Sequence, residues 1–288
     1  MPDILLSILI CTRNRPADLD RCLSSIPDRD DIQIVVSDDG EGAQAAHAGK
    51  FPRVEWVVGP RRGLGANRNK VFSRARGRYV LFLDDDAALG GNFLAETLPR
   101  AQAQADCIVT GIESNKGLIL FPSKPSFLGH QNIKYRDGEE LRTVVINAAI
   151  FPRSLLDKIR FDEEIIYGYD EVDISAAAVA AGGRIVLCPN ALNYHDSSPK
   201  GRDAYQTQLE VARIAVTFKR YRWFEGNMAK AYVFLVVSAL HLYLYVLRRK
   251  GLKGVGDATR TLREAWRRIR AFDPSDTSLN PRARASST

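Results

Sequence analysis

The chain has 288 residues, 45% of them hydrophobic, and a formal net charge of +7. That length suits one large α/β domain or two modest ones, with enough apolar residues for a real core. The basic excess crowds the region after Lys219, which argues against a uniformly basic nucleic-acid binder and for an interaction region in the C-terminal third.

The four cysteines, Cys11, Cys22, Cys107 and Cys188, form no CxxC pair and have no histidine at zinc-finger spacing. They read as reduced thiols of a cytosolic domain. The opening residues, MPDILLSILICT, carry no basic leader and read as a strand. PADLDRCLSSI follows with Leu19, Cys22, Leu23 and Ile26 at helical spacing. DIQIVVSDDG is a second strand ending in acids, and RVEWVVG a third. GLGANRNKVFSRA reads as a loop entering a helix, and GRYVLFLDDD as a fourth strand. This alternation predicts a mainly parallel sheet covered by helices, in which ligands gather at the C-terminal strand ends. Those ends hold CTRNR, SDDG and LDDDA.

The section Asn115–Arg142 reads as strands and loops, and TVVINAAIFPRSLLDKI as a strand and a short helix. YGYDEVDISAAAVAAGG becomes an Ala-rich helix stopped by Gly182 and Gly183. RIVLCPNALNYHD is a late strand ending at His195, and DAYQTQLEVARIAVTFKRY is an amphipathic helix.

Three consecutive aspartates, Asp84, Asp85 and Asp86, end the fourth strand. Alternation puts Asp84 and Asp86 on one side and turns Asp85 away, provided the strand continues. Two carboxylates on one side repel unless a cation or donors lie between them, and a hard divalent cation with phosphate oxygens would complete the site. A solvated acidic turn or a helix N-cap would use the same residues. SDDG serves equally as a turn or a nucleotide contact. GLGANRNK lacks the Walker spacing, but Arg68 and Lys70 would bring positive charge toward the acidic strand end. Asp170, Glu171 and Asp173 open a helix, where the dipole stabilises acids; a general base is the functional reading of the same residues. His195, beside DSS, is either structural or part of a metal shell.

In this order, SILICTRNRPADLDRCLSSI, IVVSDDG, GLGANRNKVFSRARGRYVLFLDDDA, GYDEVDIS and NYH resemble a family 2 glycosyltransferase of the GT-A fold over about the first 200 residues. The resemblance implies an α/β, mainly parallel GT-A sheet flanked by helices. It also implies a nucleotide diphosphate-sugar donor, UDP-linked by preference, and inversion at the anomeric centre. Thr12, Arg13 and Arg15 would border the nucleotide, and Asp38 or Asp39 would contact the base. Arg68 would approach the nucleotide or diphosphate, Asp84 or Asp85 would hold the ribose or sugar, and Asp86 with His195 would bind Mn²⁺ or Mg²⁺. The family usually carries Glu-Asp where this chain has Asp170-Glu171; the base is placed at Glu171, with Asp170 as the alternative and Asp173 at the acceptor side. ISAAAVAA lacks the arginine often found after the acidic motif, and no QxxRW occurs, which speaks against a processive synthase. A sugar nucleotidyltransferase would need glycines after the first strand, where CTRNRPADLD has none. A non-catalytic nucleotide-sugar binding protein is the remaining rival.

On this reading, residues 1–200 form the catalytic domain, with a nucleotide-sugar half to about 110 and an acceptor half over about 111–200. Residues 201–228 would be a connecting amphipathic helix, 229–272 hydrophobic and basic amphipathic helices, and 273–288 a disordered tail. Ala229–Leu247 is apolar and close to a bilayer core in helical length, but basic residues flank both ends, which conflicts with a single span. Val255, Leu262, Trp266 and Ile269 fall near one face of a following Arg-rich helix. This predicts a peripheral or monotopic, C-terminal membrane-associated region on the cytoplasmic face, binding an anionic membrane and bringing the site to a glycan or lipid-linked acceptor. A homo-oligomer interface through the C-terminal helices is the other use of that surface.

Overall fold

A computed structural model describes residues 3–197 and 205–285. The strands are β1 (Leu6–Thr12), β2 (Ile32–Asp38), β3 (Val54–Val58), β4 (Tyr79–Asp84), β5 (Ala87–Ala88), β6 (Cys107–Asn115), β7 (Leu118–Leu120), β8 (Ser123–Pro125), β9 (Gln131–Lys134), β10 (Ala149–Pro152) and β11 (Arg184–His195). Nine of them form one sheet, in the order β3-β2-β1-β4-β10-β6-β11-β5 with β7 paired to β6; β8 and β9 form a separate hairpin. The helices are α1 (Pro16–Ser24), α2 (Ala43–His47), α3 (Leu64–Phe72), α4 (Phe93–Ala103), α5 (Arg153–Leu156), α6 (Asp170–Ala180), α7 (Gln206–Lys219), α8 (Met228–Lys250), α9 (Val255–Ala271) and α10 (Arg282–Ala285).

The continuous apolar runs of β1 and β4 are explained by burial on both faces. Leu6, Ile8, Ile10, Tyr79, Leu81 and Leu83 join one core with α1 and α4. Leu9, Val80 and Phe82 point the other way, into a core with α3, α5 and α6. Phe82 meets Phe151 and Phe161 edge-on, with centroids 6.0 and 5.0 Å away. Each such buried side chain contributes about 1.5–3 kcal/mol from apolar burial. The β3-β2-β1-β4 half is wholly parallel, as its pattern predicts. β10 departs from it, lying antiparallel between β4 and β6, while β6 and β11 are again parallel. The sheet is therefore mixed, with its longest ladders parallel.

Three C-terminal expectations need correcting. The helix expected to act as a connector, α7, is a core element: Val211, Ile214 and Phe218 are buried against Phe234 of α8 and Ile269 of α9. Residues 201–204 of that predicted segment lie outside the described residues. The apolar stripe of α9 is not free for a membrane, because Ala258, Ala265 and Ile269 are buried in this same cluster and Leu262 packs against it. Trp266 sits at the edge of the cluster, 36% exposed, with its ring edge-on to Phe218 at 6.4 Å. The tail expected to be disordered folds back as far as the described residues run. Arg160 donates its backbone N–H to the Ser278 carbonyl at 3.0 Å and pairs with Asp276 at 2.5 Å, while Asn280 is buried. Asp273 and Asp276 cap the turns between them through Ser275 and Ser278, supplying local order that the polar composition concealed.

The outer face of α8 stays bare. Val233, Val236, Leu240 and Leu244 are 56, 70, 59 and 47% exposed, while Ala231, Phe234, Leu242 and Val246 are buried. The helical run from Met228 to Ala271 contains a window long and apolar enough to cross a membrane, and 28% of that window is buried within the protein.

Candidate active site

The parallel ladders bring the C-terminal ends of β1, β2 and β4 side by side, with Thr12 opposite Asp38 and Cys11 opposite Asp84. A cavity of about 500 Å³ opens there. Thr12, Arg13, Arg15, Asp39, Asp84, Asp85, Asp86 and His195 all line it.

Strand β4 ends at Asp84, so the three aspartates are displayed by strand end and turn together. Ligand atoms of Asp84, Asp86 and His195 lie within 4.8 Å of one another. Asp85 does not leave the site: Thr12 Oγ1 donates to it at 2.8 Å and Arg15 Nη1 at 3.1 Å. The same Arg15 nitrogen donates to Asp86 at 2.6 Å, so one guanidinium bridges two neighbouring carboxylates. Burial pushes the Asp85 carboxyl up to about 6 against the pull of Thr12 and Arg15. Burial also opposes ionisation of Asp86, but hydrogen bonds from His195 and Arg15 outweigh it and hold that carboxyl at about 2.

His195 arrives from β11, which pairs with β5 so that His195 sits opposite Ala87. Its Nε2 lies 3.0 Å from Asp86 and its Nδ1 2.9 Å from Glu113. Burial would lower its pKa, but the two carboxylates prevail and lift it to about 10. Glu113, at the end of β6, is held in turn by Asn147, whose Nδ2 donates at 3.1 Å and whose Oδ1 accepts the Asp84 backbone N–H at 2.8 Å. Asn193 of β11 closes this network by donating to the Asn147 carbonyl at 2.6 Å.

Arg68 of α3 is 3% exposed and stacks over Phe161 at 5.4 Å. It donates to Asp84 at 2.8 Å and pairs with Asp170 of α6. Lys70, expected beside it, is exposed and directed elsewhere, because two residues further along a helix lie on a different face. Asp170 is thus neutralised by a guanidinium. Glu171, next to it, is not; Gln131 Nε2 from β9 donates to it at 3.0 Å, and burial raises its carboxyl above the usual range. Asp173 is 1% exposed and bonds to Lys219 at 2.8 Å, so helical spacing turns it from the cavity toward α7. Asp38 is likewise occupied: it accepts the backbone N–H groups of Gly40 and Ala43 and caps α2, leaving Asp39 as the acid that faces the cavity. Tyr167 and Tyr205 stack 4.5 Å apart and form part of the cavity wall.

Glu113, Asn147, Gln131, Tyr167 and Tyr205 escape sequence reasoning. Only Glu113 carries a local signal: the apolar run Cys107–Ile112 ends in it, just as β2 and β4 end in acids.

The mixed sheet with acids gathered at its strand ends is of the GT-A type. The model of "Glycosyl transferase family 2" matches residues 7–160, and the chain belongs to this family. It is 27% identical over 216 residues to the succinoglycan biosynthesis protein ExoM of Rhizobium meliloti, an alignment covering 68% of each chain. It is also 27% identical to the GalNAc(5)-diNAcBac-PP-undecaprenol beta-1,3-glucosyltransferase of Campylobacter jejuni, over 57% of this chain and 56% of that protein. Among solved structures, the mannosyltransferase PcManGT of Pyrobaculum calidifontis, in complex with GDP-Man and Mn²⁺, has a TM-score of 0.57 at 16% identity. It covers 93% of this chain and 87% of that one.

Proposed function

We propose that this chain is an inverting, metal-dependent glycosyltransferase that takes a sugar from a nucleotide diphosphate-sugar, UDP-linked in the first instance. The acceptor is the hydroxyl of a lipid-linked or cell-envelope (exopolysaccharide) glycan at the cytoplasmic face of a membrane. The observation that carries this is the Asp84–Asp86–His195 cluster in the cavity, with the half-buried Glu171 near enough to Asp84 to feel its charge.

The donor set fits a divalent cation. Two carboxylates suit Mg²⁺ or Mn²⁺; His195 would join them through Nε2 on releasing the proton it shares with Asp86, while Glu113 behind the other ring nitrogen keeps the imidazole oriented. Asp86 and His195 would hold the ion, with Asp84 beside them. When bound, it would neutralise charge developing on the departing diphosphate. The protein's own groups supply the rest. Arg15 and Arg13 place positive charge over the same end of the cavity. Thr12 and Asp39 border the nucleotide side, and Asp85, fixed by Thr12 and Arg15, holds the ribose or sugar. Arg68 keeps Asp84 and Asp170 in place. Glu171 takes the proton from the acceptor hydroxyl as it attacks; its raised pKa brings it nearer the operating pH of a general base. Inversion needs one in-line displacement and no enzyme nucleophile. The bare apolar face of α8, flanked by Arg248, Arg249 and Lys250, supports membrane association.

The test is release of nucleoside diphosphate from UDP-, GDP- and dTDP-sugars with Mn²⁺, for wild type and Glu171→Gln. The variant should lose about 10²–10⁴-fold in turnover and keep its donor affinity by calorimetry. Near-normal turnover would reject Glu171 as the base, and pyrophosphate formation from a sugar phosphate and nucleoside triphosphate would point to a nucleotidyltransferase.

A further inference from the structure

Beta strand β6 carries Glu113 and Asn115, then turns back through Lys116 and Gly117 into β7, with Asn115 opposite Leu118. Lys116 and Gly117 both have positive φ, 50° and 86°, which is the two-residue turn that best fits the twist of a hairpin. The returning strand is GLILF. Leu118, Ile119, Leu120 and Phe121 are 66, 43, 36 and 50% exposed. Four consecutive apolar side chains in water is a costly arrangement for a tight, well-formed hairpin with no other task.

The hairpin is tied to the site. Asn115 Nδ2 lies 3.4 Å from His195 Nδ1, and Ser197 donates to Asn115 Oδ1 at 2.9 Å. On its other side it runs into the β8–β9 hairpin, which bears exposed Phe127 and Ile133 and packs on the C-terminal helices. Phe127 lies 6.1 Å from Phe234 of α8, and His130 lies 6.0 Å from His241. One segment therefore links the rim of the cavity to the helix whose outer face is bare.

Charge identifies the occupant. No acidic residue occurs between Glu113 and Asp137, while Lys116, Lys124, Lys134 and Arg136 do; likewise none occurs between Glu225 and Asp257, where α8 lies. Lys124 is paired with Glu139 and Lys116 lies 3.9 Å from Asp196, but the exposed Lys134, Arg136, Arg248 and Arg249 have no ion pair among the described residues. Such cationic charge beside apolar side chains complements anionic lipid.

We propose that the β6–β7 hairpin tip is a second membrane contact, inserting Leu118–Phe121 into an anionic bilayer and setting the cavity mouth at the lipid surface. The inference rests on the membrane reading of α8 but is tested apart from it. The full-length protein carrying Ile119→Trp is mixed with vesicles of phosphatidylcholine and phosphatidylglycerol, with and without brominated acyl chains. Brominated lipid should quench emission from this variant beyond the quenching of the wild-type tryptophans; equal quenching overturns the insertion. Leu118→Asp/Leu120→Asp should lower vesicle affinity at least tenfold and raise KM for a vesicle-embedded acceptor, with donor turnover in detergent unchanged. Unchanged vesicle affinity, or a shift only in oligomeric state, overturns the proposal in favour of a protein interface. Loss of donor turnover in the wild type would instead indict the enzymatic reading.

Discussion

At the scale of single residues, the site is a chain of charges in which each buried group has a named partner. Glu113 is 4% exposed and does not line the cavity at the strand ends, yet it faces the nitrogen of His195 remote from Asp86. A carboxylate there keeps the imidazole oriented and basic. Glu113→Gln preserves shape and removes charge, so Mn²⁺ affinity measured by calorimetry should fall about 10–100-fold while the fold's melting transition stays close to wild type. Much of this site was legible beforehand. Acids at strand ends, an Arg on the next helix and a His at the end of the last strand are all local patterns. Glu113 and Asn147 were not, because their role depends on β6 and β10 lying between β4 and β11, a strand order that local pattern does not encode. Asp173 misled for a related reason: helix-start acids look alike, and only packing decides which one faces the cavity and which one meets Lys219.

At the scale of elements, that lysine joins the C-terminal helices to α6. Lys219 bonds Asp173 of α6 at 2.8 Å and Asp162 of the preceding loop at 2.9 Å, all three being largely buried. Removing one partner from such a network costs about 3–5 kcal/mol because the others remain buried and unpaired. Lys219→Met should show this deficit in urea unfolding near neutral pH. Burial pushes the Asp173 carboxyl up to about 6, above its unfolded value. Its contribution is therefore fully present below the unfolded pKa and is lost as pH rises through about 6. The Lys219→Met deficit should accordingly shrink on acidification through that range; a deficit that grows would contradict the assignment. The helices α1, α6 and α7 were readable from spacing and stop signals, whereas α2 and α4 were not anticipated. On α9, Leu262 and Ile269 of the predicted stripe do face the C-terminal core, and Trp266 lies at its edge with its ring 6.4 Å from that of Phe218.

At the scale of the whole molecule, the apolar outer face of α8 connects through the β8–β9 hairpin to the rim of the cavity. Truncating the chain before α8 would be a poor test, because Phe218 and Tyr221 would lose Phe234 and expose the C-terminal core. Replacing Val233, Val236 and Leu240 with serine leaves that core untouched. Such a variant should shift from the membrane fraction to the soluble fraction while keeping donor turnover in detergent. Unchanged fractionation would assign the face to an interface between copies.

Behind the site, Gly90 lies so close to β11 that a Cβ there would sit 1.8 Å from the Leu192 carbonyl, and the Asp196 N–H reaches the Asp86 carbonyl at 2.9 Å. The distance between Asp86 and His195 is thus dictated by main chain on main chain. The walls around them come from loops and side chains of other elements. Side chains lining the cavity can therefore drift by ordinary replacement while the spacing of Asp86 and His195 remains outside the reach of such changes.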